Sequence, residues 1–169
     1  MPGFGYRIVE VGVKKILVAN LIGRVFMKGD YDCPFRKIDE ILEEVKREKI
    51  DAVVIDFHSE ATSEIRAFGL YVDGRASVVF GTHTHVQTAD EQILAKGTAY
   101  LTDVGMNGAK DSVLGVDKEN IFKNFLTQMP FEHIIPESGM AIVNAILVEI
   151  NSKTIEAKKI IRISREIEV

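Results

Sequence analysis

Short runs of apolar residues, separated by polar turns, predict a fold with several strands and few helices. Polar and apolar residues alternate before Gly12 and an apolar run follows it, which predicts a hairpin. Three later runs have the length and β-branched composition of buried strands, and the chain closes with a second hairpin. The predicted strands cover residues 6–11, 15–21, 51–57, 76–80, 98–102, 140–150 and 155–163.

Three segments predict helices between these strands. Pro34 opens the first, in which Ile38, Ile41, Leu42 and Val45 recur at helical spacing up to about residue 49. Ser63 is the expected cap of the second, which runs to about residue 72. The third covers residues 118–129, with a buried stripe expected at Ile121, Phe122, Phe125 and Leu126. The order of elements predicts an α/β fold with a mixed sheet and helices on one face.

Composition limits the class of protein. The chain has 169 residues, of which 46% are hydrophobic and 27% charged, and this argues against disorder. A net charge of −4 argues against a broad nucleic-acid surface but allows a small nucleotide. Cys33 is the single cysteine, which excludes an internal disulfide and favours a reducing compartment. No signal peptide or membrane-spanning run is visible, so we expect a cytoplasmic protein.

Three of the four histidines follow two of the predicted strands. His58 comes directly after residues 51–57, and His83 and His85 follow residues 76–80. Because parallel strands joined by a helix end at the same edge of a sheet, we expect the three imidazoles to converge. On extended backbone, residues two apart point to the same side, so His83 and His85 would face one ion. Neutral imidazole is the commonest transition-metal ligand, and the pattern therefore predicts a metal site of His58, His83 and His85.

Other interpretations of these segments stay open. A His-x-His stretch also occurs in ordinary polar turns. Glu60 could add a ligand, although carboxylates in a first helical turn also stabilise the positive end of a helix. Asp56, one residue short of the strand end, is expected to orient an imidazole. The Gly-bearing loop of residues 103–112 is either a substrate lid or a connector. His133 lies in a Pro-bounded loop and is interpreted as a packing or solvent-exposed residue.

Three motifs resemble those of a known enzyme family. They are Asp56-Phe57-His58-Ser59-Glu60-Ala61-Thr62-Ser63-Glu64, Gly81-Thr82-His83-Thr84-His85-Val86-Gln87-Thr88-Ala89-Asp90 and Thr102-Asp103-Val104-Gly105-Met106. Together they resemble the calcineurin-like metallophosphoesterases, specifically their YmdB-type bacterial branch, over nearly the whole chain. The resemblance implies the second half of a four-layer αββα sandwich. It also implies a dinuclear metal site with Fe, Mn or Zn that hydrolyses phosphodiester bonds, with 2′,3′-cyclic nucleotides as the substrate class. His58, His83 and His85 match three metal-ligand positions of the family.

The match covers only the later part of the family domain. Family members begin with an Asp-bearing loop, a Gly-Glu-Asn type motif with a bridging carboxylate, and a Gly-Asn-His motif that supplies a metal ligand and the general acid. None of the six asparagines in this chain is followed by His. We therefore expect residues 1–169 to form a single domain that corresponds to the C-terminal portion of a longer enzyme. Three neutral histidines without a bridging carboxylate should hold one ion weakly and support little catalysis.

Two alternatives differ from this expectation in surface and in metal content. A non-catalytic half-domain would bind metal or assemble with a partner that carries the missing motifs, and it would expose an apolar sheet surface. A mononuclear zinc hydrolase would work with the three histidines alone. A homo-oligomer is compatible with either alternative, and no interaction with a membrane is expected.

Overall fold

Residues 4–151 and 153–169, the part of the chain that this computed structural model describes, form nine strands and three helices. The strands are β1 (Tyr6–Val11), β2 (Lys14–Ile22), β3 (Ala52–His58), β4 (Val78–Phe80), β5 (Gln92–Ile93), β6 (Ala99–Leu101), β7 (Gly108–Ala109), β8 (Met140–Ile150) and β9 (Ala157–Glu168). The helices are α1 (Pro34–Glu44), α2 (Thr62–Tyr71) and α3 (Lys118–Thr127). This composition confirms the predicted α/β class.

Six strands form a mixed sheet in the order β1-β2-β3-β4-β6-β5. The four central strands run parallel to one another, while β1 and β5 at the two edges are antiparallel to their neighbours. Parallel neighbours need a crossover connection, and α1 and α2 provide it between β2 and β3 and between β3 and β4. The predicted hairpins at both ends of the chain are confirmed.

The first sheet buries one face against α1 and α2. Pro34 starts α1, and its buried Ile38 and Ile41 pack into the same cluster as Phe68 of α2. The ring of Phe68 stacks on Phe57 of β3 with 4.2 Å between the ring centroids. Burial of these aromatic and aliphatic side chains is the main stabilising contribution of this layer.

The opposite face of the first sheet packs on a second sheet with the order β7-β8-β9. Val78 and Ala99 from the first sheet form a cluster with Ala157, and the partly buried Ile146 and Ile160 pack against it. The layers are therefore helices, sheet and sheet. This arrangement confirms that the helices of the mixed sheet lie on one face and adds the second sheet, which the strand pattern alone did not separate from the first.

Several details differ from the sequence-based expectations. Helix α1 ends at Glu44, and residues 45–48 continue as tighter turns with hydrogen bonds from Lys46 to Glu43 and from Glu48 to Val45. Helix α2 begins after Ala61, which has no side-chain cap, so Ser63 is not the cap. The two-residue strands β5 and β7 were too short to show as patterns, and β9 covers Ala157–Glu168 rather than the predicted residues 155–163.

Several apolar side chains stay uncovered within the described residues. The expected buried stripe of α3 is wrong except at Ile121, because Phe122, Phe125 and Leu126 are 48%, 75% and 84% exposed. On the face of the second sheet that points away from the first, Leu147 is also exposed. Amphipathic periodicity identifies an apolar face, but it does not supply the surface that covers it.

No helix among residues 4–151 and 153–169 has both the length and the apolar character needed to cross a membrane.

Gly81 lies where β4 ends, and replacing it with alanine should destabilise the protein by about 1–3 kcal/mol, the usual cost of overpacking. A Cβ at this position would lie 2.1 Å from the carbonyl oxygen of Thr102 and 2.8 Å from Ile65 Cδ1. The first of these atoms belongs to the backbone and cannot rotate away. Urea unfolding of the Gly81→Ala variant measures the loss.

Gly108→Ala provides the matched control, because a Cβ there meets nothing within 4 Å. It should change the free energy of unfolding by less than about 0.5 kcal/mol. Equal stabilities for the two variants would contradict the close approach of β4 and β6 at Gly81.

Candidate metal centre

The carboxyl ends of β2, β3 and β4 lie side by side and present polar residues at one edge of the first sheet. Ile22 pairs with His58, and the next residue, Gly23, donates its backbone N–H to the His58 carbonyl at 2.8 Å. Asp56 of β3 pairs with Phe80, the last residue of β4. The predicted convergence of the two strand ends is therefore confirmed for the backbone. Ligands of open α/β sheets gather at this kind of edge.

Two of the three predicted imidazoles meet directly. His58 Nε2 lies 3.0 Å from His83 Nδ1, and the two rings are nearly perpendicular with their centroids 4.8 Å apart. The other ring nitrogen of His83, Nε2, lies 2.6 Å from Glu60 Oε2. Both histidines are partly buried, while Glu60 is exposed at the start of the loop. The structure thus groups His58, His83 and Glu60.

A chain of hydrogen bonds fixes which nitrogen of His58 carries the proton. Asn20 Nδ2 donates to Asp56 Oδ2 at 2.7 Å, and Thr82 Oγ1 donates to Asp56 Oδ1 at 2.8 Å, because a carboxylate only accepts. The Thr82 oxygen is then left to accept from His58 Nδ1, 3.0 Å away. In the neutral ring, His58 Nε2 then carries the lone pair. Asp56 orients the imidazole through Thr82, the role expected for it.

The same reasoning applies to His83. Glu60 accepts a hydrogen bond from the N–H at His83 Nε2, so in the neutral ring the lone pair is on His83 Nδ1. In the two neutral rings the lone pairs would face each other at 3.0 Å and repel, and either a shared proton or a metal ion bound by both nitrogens would remove that repulsion. Nitrogen ligands about 2.0–2.1 Å from a metal ion are about 2.9 Å apart when they subtend a right angle and about 3.4 Å apart at the tetrahedral angle. The 3.0 Å separation lies within this range, so the distance allows the two nitrogens to be adjacent ligands of one divalent ion.

The pair does not complete a site without further ligands. Within residues 4–151 and 153–169, no group of three or more His, Cys, Asp or Glu side chains converges to hold an ion. His85 is exposed and has a φ of +65°, so the extended backbone expected for this segment is wrong. A positive φ turns the chain, and side chains two residues apart then no longer share a side. His85 as a third ligand stays a prediction.

Buried polar anchors hold the loop that carries His83 and His85. Asp103 is 1% exposed, and its carboxylate accepts hydrogen bonds from the backbone N–H groups of Thr84 at 2.6 Å and Gly105 at 2.8 Å. Gln87 Nε2 lies 3.2 Å from the Ala145 carbonyl oxygen of the second sheet. These bonds tie the loop to both sheets, and a buried carboxylate of this kind is costly to remove. Gln87 and Asp103 belong to the motifs of the resemblance, but the sequence did not predict that they anchor the loop.

Glu64 is a structural residue. It is buried, and its carboxylate accepts backbone N–H groups from Arg24 at 2.9 Å and Val25 at 3.0 Å. A Cβ at Gly23 would lie 2.5 Å from Glu64 Oε2 and 2.6 Å from Ser59 Cβ, so a larger residue there would displace these side chains. His133 is exposed and its ring lies 4.6 Å from that of Phe131, which agrees with a packing or solvent-exposed role.

Asp90 closes the histidine loop against β6. Its Oδ2 accepts from the Thr102 hydroxyl at 2.5 Å and its Oδ1 from the Thr102 backbone N–H at 3.2 Å. Burial raises the pKa of this carboxyl, but the hydrogen bonds from Thr102 and Thr88 lower it more, so the pKa lies below its ordinary value of 3.8. The ionised form of Asp90 therefore stabilises the folded loop.

Comparison with known proteins places this geometry in context. The sequence model of a family described as "YmdB-like protein" matches residues 1–163. A 2′,3′-cyclic-nucleotide 2′-phosphodiesterase from Bacillus subtilis (strain 168) is 48% identical over 162 residues, which cover 96% of this chain and 60% of that protein.

Two solved structures share the fold. A hypothetical protein from Thermus thermophilus matches with a TM-score of 0.88 and 41% identity, over 98% of this chain and 63% of that one. A crystal structure of a novel phosphatase from Mycoplasma pneumoniae matches with a TM-score of 0.84 and 33% identity, over 98% of this chain and 58% of that one. The chain thus spans about three fifths of the length of these relatives.

Replacing Asp90 with asparagine should lower the free energy of unfolding at pH 7 by about 1 kcal/mol, a charge-assisted hydrogen bond discounted for partial exposure. Because the pKa is lower in the folded than in the unfolded state, this contribution is complete above the unfolded pKa of about 3.9 and is lost as pH falls through the folded pKa. Urea unfolding at several values between pH 7 and pH 3 measures the difference.

Asp30→Asn, at an exposed position in the loop after β2, is the control and should unfold like the wild type at every pH. A difference between wild type and Asp90→Asn that stays constant down to pH 3 would show that the charge of Asp90 does not stabilise the loop.

Proposed function

Because this chain belongs to the YmdB-like family, we propose that it provides the histidine-bearing part of a metal-dependent phosphodiesterase that acts on 2′,3′-cyclic nucleotides. The name of the Bacillus subtilis relative supports the reaction and the substrate class. The observation that carries the proposal in this chain is the 3.0 Å separation of His58 Nε2 and His83 Nδ1, while Thr82 and Glu60 contact the other nitrogen of each ring. Such a pair suits a divalent cation.

In this proposal His58 and His83 bind the ion and His85 adds a third nitrogen. The bound ion would offset the charge of the phosphate oxygens and lower the pKa of a water molecule. Fe, Mn and Zn all accept neutral imidazole, and the complete enzyme would hold two ions. The chain's own contribution is orientation, because Thr82 and Glu60 hold both ring nitrogens that face away from the ion.

Two further requirements of phosphodiester hydrolysis would be met by residues outside the three motifs of this chain. The leaving oxygen of the nucleotide needs a proton donor, which the resemblance assigns to a Gly-Asn-His motif absent from this sequence. Negative charge between two ions is needed as well, because neutral histidines do not offset the repulsion between cations. We therefore propose that the chain alone binds one ion and turns over little substrate.

A half-domain that assembles with a partner is the second candidate. The exposed apolar side chains of α3 and of the outer face of the second sheet, among them Phe125, Leu126 and Leu147, support it. The partner would be either a chain that carries the missing motifs or a second copy. A reducing compartment suits the lone thiol of Cys33, and we propose the cytoplasm as the site of action.

Thr82→Val should weaken binding of Mn²⁺ or Zn²⁺ by about 10–100-fold, because it removes the hydroxyl that orients His58 while keeping the side-chain volume. His58→Ala and His83→Ala should each abolish stoichiometric binding. Isothermal titration of the metal-free chain, followed by elemental analysis of the loaded chain, gives affinity and stoichiometry.

Two controls match these variants. Thr127→Val at the end of α3 and His133→Ala in an exposed loop should leave the affinity unchanged. Equal metal affinities for Thr82→Val and Thr127→Val would show that Asp56 does not orient His58 through Thr82. One ion per chain agrees with the proposal, whereas no ion in any form would reject the metal site.

Hydrolysis of 2′,3′-cyclic AMP tests whether this chain needs the missing motifs for activity. The chain with Mn²⁺ should turn over at least about 100-fold more slowly than the same chain mixed with the remaining part of the Bacillus subtilis relative, since general acid catalysis contributes about 10²–10⁴-fold. Comparable rates with and without that part would favour a mononuclear hydrolase. A mixture that binds metal but stays inactive would favour the half-domain with a binding role.

A further inference from the structure

Strand β8 has an open edge over its second half. Strand β9 pairs with β8 along its whole length, whereas β7 pairs with residues 141–142 only. The backbone N–H of Asn144 still points to the β7 side, where it donates to Asn107 Oδ1 at 2.7 Å. Because backbone groups alternate along an antiparallel strand, those of Ile146 and Val148 point to the same side. No strand in the described part of the chain pairs with them there.

The open edge of β8 differs in charge from the other edge of the second sheet. Edge strands that face water usually carry charged side chains, which keep a further strand from pairing with them. Six of the twelve residues of β9 are charged, whereas Glu149 is the single charged residue of β8. The edge of β8 lacks the protection that β9 has, and this indicates that a further strand pairs with β8.

Next to this edge, the first sheet leaves its inner face, the one that points toward the second sheet, uncovered. Val54 of β3 packs against the same buried cluster as Ile146 and Val148 of β8. Val18, beside Val54 in the register of β2, is 38% exposed, and Val9 of β1 is 43% exposed. The sequence neighbours of both residues pack on the helix side, which places Val9 and Val18 on the inner face. Coverage by the second sheet therefore ends between β3 and β2.

We propose that this surface binds an extended strand of the polypeptide that carries the missing motifs. We call it the β8–β2 groove, and it consists of the open edge at Ile146 and Val148 together with Val9 and Val18. Neighbouring strands are about 4.8 Å apart, so a strand added to β8 is displaced from it as β2 is from β3. It would bond the backbone of β8 and place every second side chain over β2 and β1. This inference rests on the proposed function and names the surface at which the partner attaches.

The position of the groove favours a partner that completes the metal centre. A depression of about 430 Å³ lies over Val18 and includes Phe4, Val9 and Asn20. Asn20 donates to Asp56, so this surface ends beside the residues that orient His58. A strand in the groove would therefore end near the histidines, where an anionic ligand and a proton donor are needed. The Bacillus subtilis relative contains such additional chain, because its match to this chain covers only 60% of its length.

A second copy of this chain does not fit the groove. Antiparallel pairing of two identical β8 edges relates the copies by a two-fold axis perpendicular to the second sheet. Both first sheets would then lie on the same side of the joined sheet. Because β2 and β1 extend beyond β8 on that side, those of the two copies would occupy the same space. The groove therefore suits a strand from a different polypeptide segment.

Co-purification tests the groove without metal or substrate. The full chain is co-expressed with the tagged remaining part of the Bacillus subtilis relative, and we expect a 1:1 complex by size-exclusion chromatography with light scattering. The double variant Val9→Asp, Val18→Asp should weaken the complex at least about tenfold, because docking would bury two charges. Leu70→Asp is the matched control, since Leu70 is 53% exposed on α2, and it should leave the affinity unchanged.

Amide hydrogen exchange tests the backbone contact without any substitution. In the chain alone, the N–H groups of Ile146 and Val148 should exchange faster than those of Ala145 and Leu147, which point toward β9. The partner should slow exchange at Ile146 and Val148 at least about tenfold. The N–H of Ser164 faces the opposite edge of the sheet, because Ser164 pairs with Asn144, and its exchange should stay the same.

Three results would overturn the inference. They are the absence of a complex, a complex in which Ile146 and Val148 exchange as in the free chain, and equal affinities for the double variant and Leu70→Asp. A dimer of the chain alone in which these two amides are protected would overturn it as well. All of these measurements are independent of metal binding and turnover. A complex that forms through the groove but neither binds metal nor hydrolyses the nucleotide would contradict the proposed function and leave the docking surface standing.

Discussion

The parallel pairing of β2, β3 and β4 is the constraint on which the histidine pair depends. Asn20 lies beside Asp56 in the register of β2 and β3, and Asp56 lies beside Phe80, two residues before Thr82. Side chains alternate between the faces of a strand, so a shift of one residue would separate these groups. The register therefore determines which nitrogen of His58 carries a proton, and with it whether the imidazole can face a cation.

Much of the fold around the histidine pair could be predicted from the sequence. The apolar runs identified the central strands, and the order of strands and helices implied that β3 and β4 run parallel, which brings His58 and His83 together. Register is a different kind of information. It depends on which residues pair across strands, so the contributions of Asn20 and Thr82 could not be predicted from composition or spacing.

The misjudged positions share a physical cause. The stripe of α3 has the period of a buried helix, yet burial depends on a partner surface, and Phe125 stays 75% exposed within the described residues. The expectation for His85 assumed extended backbone, but the φ of His85 is +65° and the chain turns there. His85 lines a cleft together with Asn144, which lies on a strand much later in the chain. Local sequence patterns do not predict contacts between residues so far apart in the chain.

Charge around the histidines limits what this set of residues can do. Asp56 accepts a hydrogen bond from Thr82, and Glu60 contacts His83 Nε2. Neither carboxylate therefore contacts an ion held by His58 Nε2 and His83 Nδ1. Glu60 would act on such an ion through the ring of His83, and Asp56 through Thr82 and the ring of His58. One divalent cation is compatible with that arrangement, since each ring is made more basic by its acceptor. A second cation a few ångströms away would add a repulsion that neutral nitrogens cannot offset. A dinuclear site therefore requires an anionic ligand between the ions, and neither Asp56 nor Glu60 is free to provide it while it orients its histidine.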